Sequence, residues 1–254
     1  MNLTMAADFA LSMGLMEIDR ADGRKPNQLR PLSCSHNFLN RAHGSARWSH
    51  GDTTVIAAVY GPKSGKKTNE NPKKASVEVV WKPNTGHIGR DEKEYEIVVK
   101  RTLESICLLT VNPSTTISVI LQVVDDDGGL LPCAINAACA ALVDAGIPLK
   151  HLAVSICCGL TESGFVVLDP TKSEEQSLQA FTYLVFPNSF RSVLPGSPLS
   201  VEIGPFENGI ITSTTHGVMS VENYLFCIER GRSASAALSE FLRKSLTKRN
   251  ESNS

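Results

Sequence analysis

No run in this chain approaches the roughly 18 consecutive apolar residues that a membrane-spanning helix needs, and the reading is of a protein with no membrane partner. Cysteine pairs of the CxxC kind are missing. The six histidines, His36, His43, His50, His87, His151 and His216, are scattered, so no zinc-ligand spacing emerges. No HExxH pattern or Ser/His/Asp arrangement stands out, and the glycine fingerprints of P-loop and dinucleotide-binding proteins are missing. Charge of one sign is lacking too: 25 basic residues against 26 acidic ones leave a formal net charge of -1. That balance argues against a disordered chain or a free-standing polybasic nucleic-acid binder. It leaves RNA open, because a local basic patch can act inside a neutral protein.

What is present is a chain of 254 residues with 42% hydrophobic content, enough to bury a core in one large domain or two small ones. Seven cysteines, an odd number lying mostly in apolar runs, read as buried free thiols in a reducing compartment. Residues 1–15 lack a basic leading segment and a clear cleavage site, which argues against a signal peptide. They read as a disordered extension, or as the product of a start upstream of Met16. Residues 248–254 read as a frayed tail.

Between these ends the pattern predicts alternating groups of strands and helices. A polar, basic arm from Asp19 to Pro31 precedes strands at Ser45–Trp48 and Thr53–Tyr60, joined by the turn Ser49-His50-Gly51-Asp52. Gly61–Lys74 reads as a mobile loop carrying Lys63, Lys66, Lys67, Lys73 and Lys74, and Val77–Trp81 as a strand. Asp91–Thr110 predicts a helix, since Tyr95, Val98, Val99, Thr102, Leu103 and Ile106 form one apolar stripe. The β-branched run Thr115–Val124 predicts a central strand. Pro132–Ala145 predicts a small-residue helix with Gly146 just beyond its end. Strands follow at Ala153–Cys158, Phe165–Leu168 and Thr182–Phe186. Asn188–Gly217 carries short strand-like pieces, and a long helix spans Met219–Leu246 with a kink at Gly231. Such grouping is α+β with mixed sheets, without strict βαβ alternation.

Three constellations could carry chemistry. Asp125-Asp126-Asp127-Gly128-Gly129 joins a buried strand to a helix N-terminus, where unpaired N–H groups and glycines let a ligand approach. Three readings stand side by side: an acidic turn on the positive helix end, a phosphate or RNA-end pocket, or a divalent-cation site. Glu174-Glu175 is either a solvated pair or the source of a general acid or base. Arg90, Lys93, Lys100 and Arg101 are either a solvated helix face or a grip on a phosphodiester backbone.

Assembled, these segments resemble the RNase PH family. Arg20-Ala21-Asp22-Gly23-Arg24 and Gln28-Leu29-Arg30-Pro31 are similar to its opening signature. Gly44-Ser45-Ala46 and Gly51-Asp52-Thr53-Thr54-Val55 match the next one. Gln122 to Gly129, then Ala134-Ile135-Asn136-Ala137-Ala138 and Leu142 to Pro148, are the most specific. The resemblance covers residues 16–247 as one RNase PH-like domain, and within the family it is greatest to the ring subunits of the eukaryotic RNA exosome. Asp-Gly-Gly-Leu-Leu and Asn136-Ala137-Ala138-Cys139 single out one of them.

The resemblance implies a βαβα architecture like domain 2 of ribosomal protein S5, a six-member ring of paired subunits with cap subunits, and RNA in a central pore. It implies phosphorolysis in active members: inorganic phosphate attacks the last phosphodiester, basic residues hold the RNA, and a carboxylic acid protonates the leaving oxygen. Where active members carry a phosphate-binding Thr-Arg, this chain has Leu130-Leu131, and aliphatic chains cannot donate charge-assisted hydrogen bonds to an oxyanion. Of two aspartates six residues apart, the first corresponds to Glu175 and the second to Phe181. Arg101 and Lys100 match the basic helix, while another family arginine falls near Ile97. Two readings follow. One is a non-catalytic or weakly catalytic ring subunit supporting 3′-to-5′ RNA processing and degradation, including rRNA processing and mRNA turnover, in the nucleus, nucleolus and cytoplasm. The other is an active homodimeric nuclease using Glu175, with inorganic phosphate as co-substrate on RNA, or with Mg²⁺ recruited by Asp125 to Asp127 for hydrolysis of DNA.

Overall fold

The computed structural model describes residues 20–64, 72–86, 89–188 and 209–252, with side chains to residue 247. Two sheets enclose a helix. The first has five strands: β1 (Leu32–His36), β2 (Gly44–His50), β3 (Thr53–Ser64), β4 (Ser76–Lys82) and β5 (Thr115–Asp125), in the order β1-β2-β3-β5-β4. Helix α1 (Arg90–Ile106) connects the parallel neighbours β4 and β5, and the other pairings in that sheet are antiparallel. The second sheet, β7-β6-β8-β9, is antiparallel and contains β6 (Leu152–Leu160), β7 (Val166–Leu168), β8 (Ala180–Asn188) and β9 (Thr212–Gly217).

Between the sheets runs α2 (Leu130–Asp144), touching β2 and β3 on one side and β6 on the other. Every residue in it except Leu130 and Val143 is buried, which is why its sequence is apolar all round. Its one buried amide, Asn136, closes a gap in the second sheet. Strand β7 pairs with β6 only at Cys158, Gly159 and Leu160, so on that edge of β6 the backbone of Ser155, which has β8 on its other side, meets no strand. The Asn136 amide takes that place, accepting from the Ser155 N–H at 2.8 Å and donating to its carbonyl at 2.9 Å. A short helix, α3 (Lys172–Ser177), follows β7, and α4 (Val221–Ser252) packs across β6 and β8.

The expected α+β fold with mixed sheets is what the chain adopts; several boundaries differ. Strand β1 lies just beyond the expected arm, in a stretch for which the sequence pattern predicted no element. Strand β3 continues through Gly61 to Ser64, where a loop was expected; residues 65–71 lie outside the described set, as do Met1–Leu15 and residues 189–208. Helix α1 stops at Ile106, four residues before the expected Thr110. Backbone bonds from Leu108 N–H to the Pro148 carbonyl and from Lys150 N–H to the Ile106 carbonyl draw the chain out of the helix there. Helix α4 runs unbroken past Leu246 to Ser252, through the expected tail. Gly231 has a packing role: a Cβ there would meet Leu184 Cδ1 at 3.0 Å and Cys158 Sγ at 3.1 Å, so its absence lets the helix lie close on the sheet. The cysteines are free, and all but the half-buried Cys34 are buried.

Candidate functional site

Strand β5 ends at Asp125, and the chain turns through Asp126 to Gly129 into α2. This turn has two different sides. On the inner side the family's opening signature is built into a buried ion network. The Arg30 guanidinium donates to the carbonyls of Asp127 at 2.6 Å and Gly128 at 3.0 Å, and to both carboxylate oxygens of Asp169 at 2.7 and 3.1 Å. Arg20 grips Glu174 with two bonds of 2.8 and 2.6 Å and also donates to the carbonyls of Leu168 and Asp169. Asp169 sits at a φ of 50° ahead of Pro170, a conformation a non-glycine residue holds only when its surroundings fix it. Burial would raise its pKa; His50 and Arg30 outweigh that and hold it at about 2. His50, fully buried 3.9 Å from Asp169, is pushed down to about 4 by burial.

On the outer side, α3 is fastened to the same turn. The Lys172 N–H donates to the Asp127 carbonyl at 3.0 Å, and its ammonium pairs with Asp126 at 2.6 Å. Gly128 is needed for this approach: a Cβ there would lie 2.6 Å from the Lys172 nitrogen. Glu174 and Glu175 then part ways. Glu174 caps its own helix through Thr171 and reaches Arg20, while Glu175 Oε1 accepts from the Gly129 N–H at 2.9 Å. Gly129 is the N-cap of α2, in the left-handed region, and glycine has no side chain to cap with. The Glu175 carboxylate, from a neighbouring helix, accepts from the N-cap N–H, as a Glu at N3 does in a capping box. Burial raises its pKa above the usual carboxylate value.

Outside this turn lies a cleft of about 490 Å³. The turn contributes Asp126 and Leu130, α3 contributes Lys172 and Glu175, and the first turns of α1 contribute Asp91, Glu92 and Tyr95. Trp81, residues 83–85, Val123 and Tyr183 complete it. Its rear is aromatic, with Trp81, Tyr95 and Tyr183 in successive ring contacts at 5.5 and 6.4 Å. Burial pushes Tyr95 up to about 12 and Tyr183 higher still, so both hydroxyls stay neutral. Phe181 stacks on His216 at 4.9 Å and touches Tyr183 at 5.3 Å, placing an aromatic ring where the resemblance implies a second carboxylate.

The structure brings Asp126, Glu175 and the start of α1 to one cleft. It does not bring the basic residues there. Arg90, Lys93, Lys100 and Arg101 are exposed and line no part of the cleft. Lys93, Ile97, Lys100 and Arg101 recur at i, i+4, i+7 and i+8, a stripe turned to solvent, whereas Asp91, Glu92 and Tyr95 face the cleft. Leu131, expected to shape the pocket, is fully buried in the core; Leu130 is the one at the wall. The three aspartates diverge. Asp125 is exposed at the strand end, Asp126 pairs with Lys172, and Asp127 lies 3.6 Å from Arg30. Among the described residues no three His, Cys, Asp or Glu side chains converge as metal ligands would. Sequence reasoning gave no site role to Arg20, Arg30, His50 or Asp169; the signature that contains Arg20 and Arg30 was the available signal.

Comparison with known proteins identifies the family and the fold. Residues 28–148 match the RNase PH description, 3′ exoribonuclease family, domain 1. The chain is 68% identical to the exosome complex exonuclease RRP46 homolog of Arabidopsis thaliana over 229 residues, covering 90% of this chain and 96% of that one. The rice counterpart is 65% identical over 92% of this chain and 98% of its own. A crystal structure of rice Rrp46 superposes with a TM-score of 0.79 at 63% identity, covering 89% of this chain and all of that one. An Archaeoglobus fulgidus exosome chain, 19% identical over 93% of this chain and 98% of its own, shares the fold with a TM-score of 0.71. With its opening arginines, its glycine turn and its two-sheet frame all accounted for, the chain belongs to the RNase PH family.

Proposed function

We propose that the chain is a ring subunit of an RNA exosome, completing the ring and contacting RNA while contributing little or no phosphorolysis of its own. High identity to exosome RRP46 homologs over nearly the whole chain supports the assembly assignment. Its partners are then other RNase PH-like ring subunits, cap subunits and RNA, with a homodimer in isolation. Its role is support of 3′-to-5′ RNA processing and degradation, rRNA processing and mRNA turnover included, in nucleus, nucleolus and cytoplasm. The exposed stripe of Lys93, Lys100 and Arg101, with Arg90 beside it, is the surface for the RNA backbone.

One observation carries the non-phosphorolytic half. Where phosphate would need donors at the start of α2, Leu130 presents an aliphatic chain, Leu131 is buried, and the Gly129 N–H is given to Glu175. Loss of one oxyanion donor typically costs about 10²–10³ in rate, and the surrounding carboxylates oppose an anion further. A second reading rests on Glu175 itself. A carboxyl whose pKa burial raises suits a general acid, acting with inorganic phosphate on RNA or with Mg²⁺ near Asp125 to Asp127 on DNA.

The test gives the purified chain labelled RNA and labelled single-stranded DNA, with phosphate or with Mg²⁺. No product is expected in any arm. Phosphate-dependent release of nucleoside diphosphates, abolished by Glu175→Gln, would replace the first reading with the second. Copurification with other ring subunits from cells tests the assembly half separately.

A further inference from the structure

We propose that a second pocket, between α4 and the end of β8, binds a glutamate or aspartate side chain presented by a partner polypeptide. The proposal stands apart from the chemistry at the glycine turn. Asn188 ends β8, while Tyr183, which lines the first cleft, lies five residues earlier, roughly 16 Å away at strand rise. On α4, Arg232, Ala236, Ser239 and Arg243 recur at i, i+4, i+7 and i+11 and share one face. Two small residues between two long ones leave a hollow of about 320 Å³ against Phe186, Pro187 and Asn188.

The polar end of this hollow is built from donors. Asn188 is 6% exposed, and its side-chain oxygen accepts from the Arg243 guanidinium. Arginine has no acceptor to offer, so this bond sets the amide with its oxygen toward Arg243 and its nitrogen away. That nitrogen is buried and has no acceptor among the described residues. A buried donor without an acceptor is unfavourable, and a ligand oxygen relieves it. Arg232, exposed at the rim, adds a second guanidinium. Each guanidinium carries five donors in a planar fork, more than any one partner uses, and such forks match a carboxylate with two parallel bonds. Among the described residues Glu240 is the one carboxylate of the lining, and Lys244 holds it at 2.7 Å, so the excess charge is positive.

The remaining walls favour a peptide over a phosphodiester. Phe186, Pro187 and Ala236 give the sides an apolar surface that suits the methylenes of an acidic side chain. The Glu240 side chain is 67% exposed and accepts from a backbone N–H, a donor that a phosphodiester group lacks. The volume admits one side chain with its flanking backbone.

Three probes are titrated into the ¹⁵N-labelled full chain: acetyl-glutamate methylamide, its neutral isostere acetyl-glutamine methylamide, and dimethyl phosphate. Saturable shifts at the Asn188 side-chain amide and at Ala236 are expected with the glutamate probe, with affinity about tenfold above glutamine. Arg243→Gln should weaken it about fivefold. Should that variant fail to fold, Arg232→Gln at the exposed rim decides, with a loss of about threefold expected. Equal affinity for the two peptide probes overturns the proposal, as does unchanged affinity in a folded arginine variant. Tighter binding of dimethyl phosphate makes the occupant a nucleic-acid backbone and overturns it too. The stretch between Asn188 and Gly209, outside the described residues, carries Glu202 and Glu207. Binding that appears only in the double variant Glu202→Gln, Glu207→Gln assigns the pocket to the chain's own carboxylates and overturns the partner. Silence from all three probes in both chains removes the proposal.

Discussion

The inner and outer sides of the glycine turn hold similar charges and use them in opposite ways. Inside, Arg20, Arg30, Asp169 and Glu174 are matched atom for atom, with side-chain exposures between 1% and 17%. Outside, among the described residues, four carboxylates face one ammonium across an open cleft. Matched and buried charges fix geometry, because removing one partner strands the other in a low dielectric. Unmatched charges around a cleft cost the fold less and remain available to something that arrives. The family's opening signature therefore works here as a brace, aligning the turn through the carbonyls of Asp127 and Gly128, whatever the chemistry in front of it.

The widest gap between the two sides should appear on removing a brace. Arg30→Met leaves Asp169 buried without its main partner and is expected to cost about 3–5 kcal/mol in denaturant unfolding; a cost under about 1 kcal/mol would erase the distinction. Next is Asn136→Ala, which orphans the N–H and carbonyl of Ser155 behind that brace, for about 2–4 kcal/mol. The pH dependence sharpens the contrast. His50 is held near 4 against an ordinary 6.5, so the unfolded chain binds the extra proton between those values and stability falls as pH drops from about 6.5 to 4. The whole fall is on the order of 3 kcal/mol; His50→Gln should flatten it. Asp169, lowered to about 2, keeps its contribution above the ordinary carboxylate range and loses it only as pH falls toward 2. The smallest effect belongs to the outer side. Glu175→Gln keeps an acceptor for Gly129 and should change stability at pH 7 by no more than about 1 kcal/mol. Because the folded pKa of Glu175 is raised, its favourable contribution is full at acid pH and is lost as pH rises. The variant should therefore gain on the parent toward neutrality.

Periodicity and turn chemistry made the frame legible. The stripe from Tyr95 to Ile106, the β-branched run of β5 and the alanine-rich α2 are local patterns with one sensible burial each. Resemblance supplied the site's address at Gly128, Gly129 and Glu175. What stayed hidden depends on long-range partners. Helix α1 stops at Ile106 because of backbone bonds to residues 148–150, which no local pattern announces. The pairing of Arg30 with Asp169 spans 139 residues. The basic face of α1 was visible as a stripe, but its direction was fixed only when Tyr95, Val98 and Val99 took the inward side. Gly231 looked like a kink because glycine weakens helices, and proved to be a close contact with the sheet.

The central claim is that the start of α2 already holds an anion of its own, the Glu175 carboxylate, and therefore takes no phosphate. Titrating inorganic phosphate into the ¹⁵N-labelled chain at neutral pH while following the Gly129 amide tests this most directly. The account predicts an unmoved Gly129 resonance through millimolar phosphate in the parent chain. A saturable phosphate-dependent shift of that amide, with Glu175 unchanged, would contradict it.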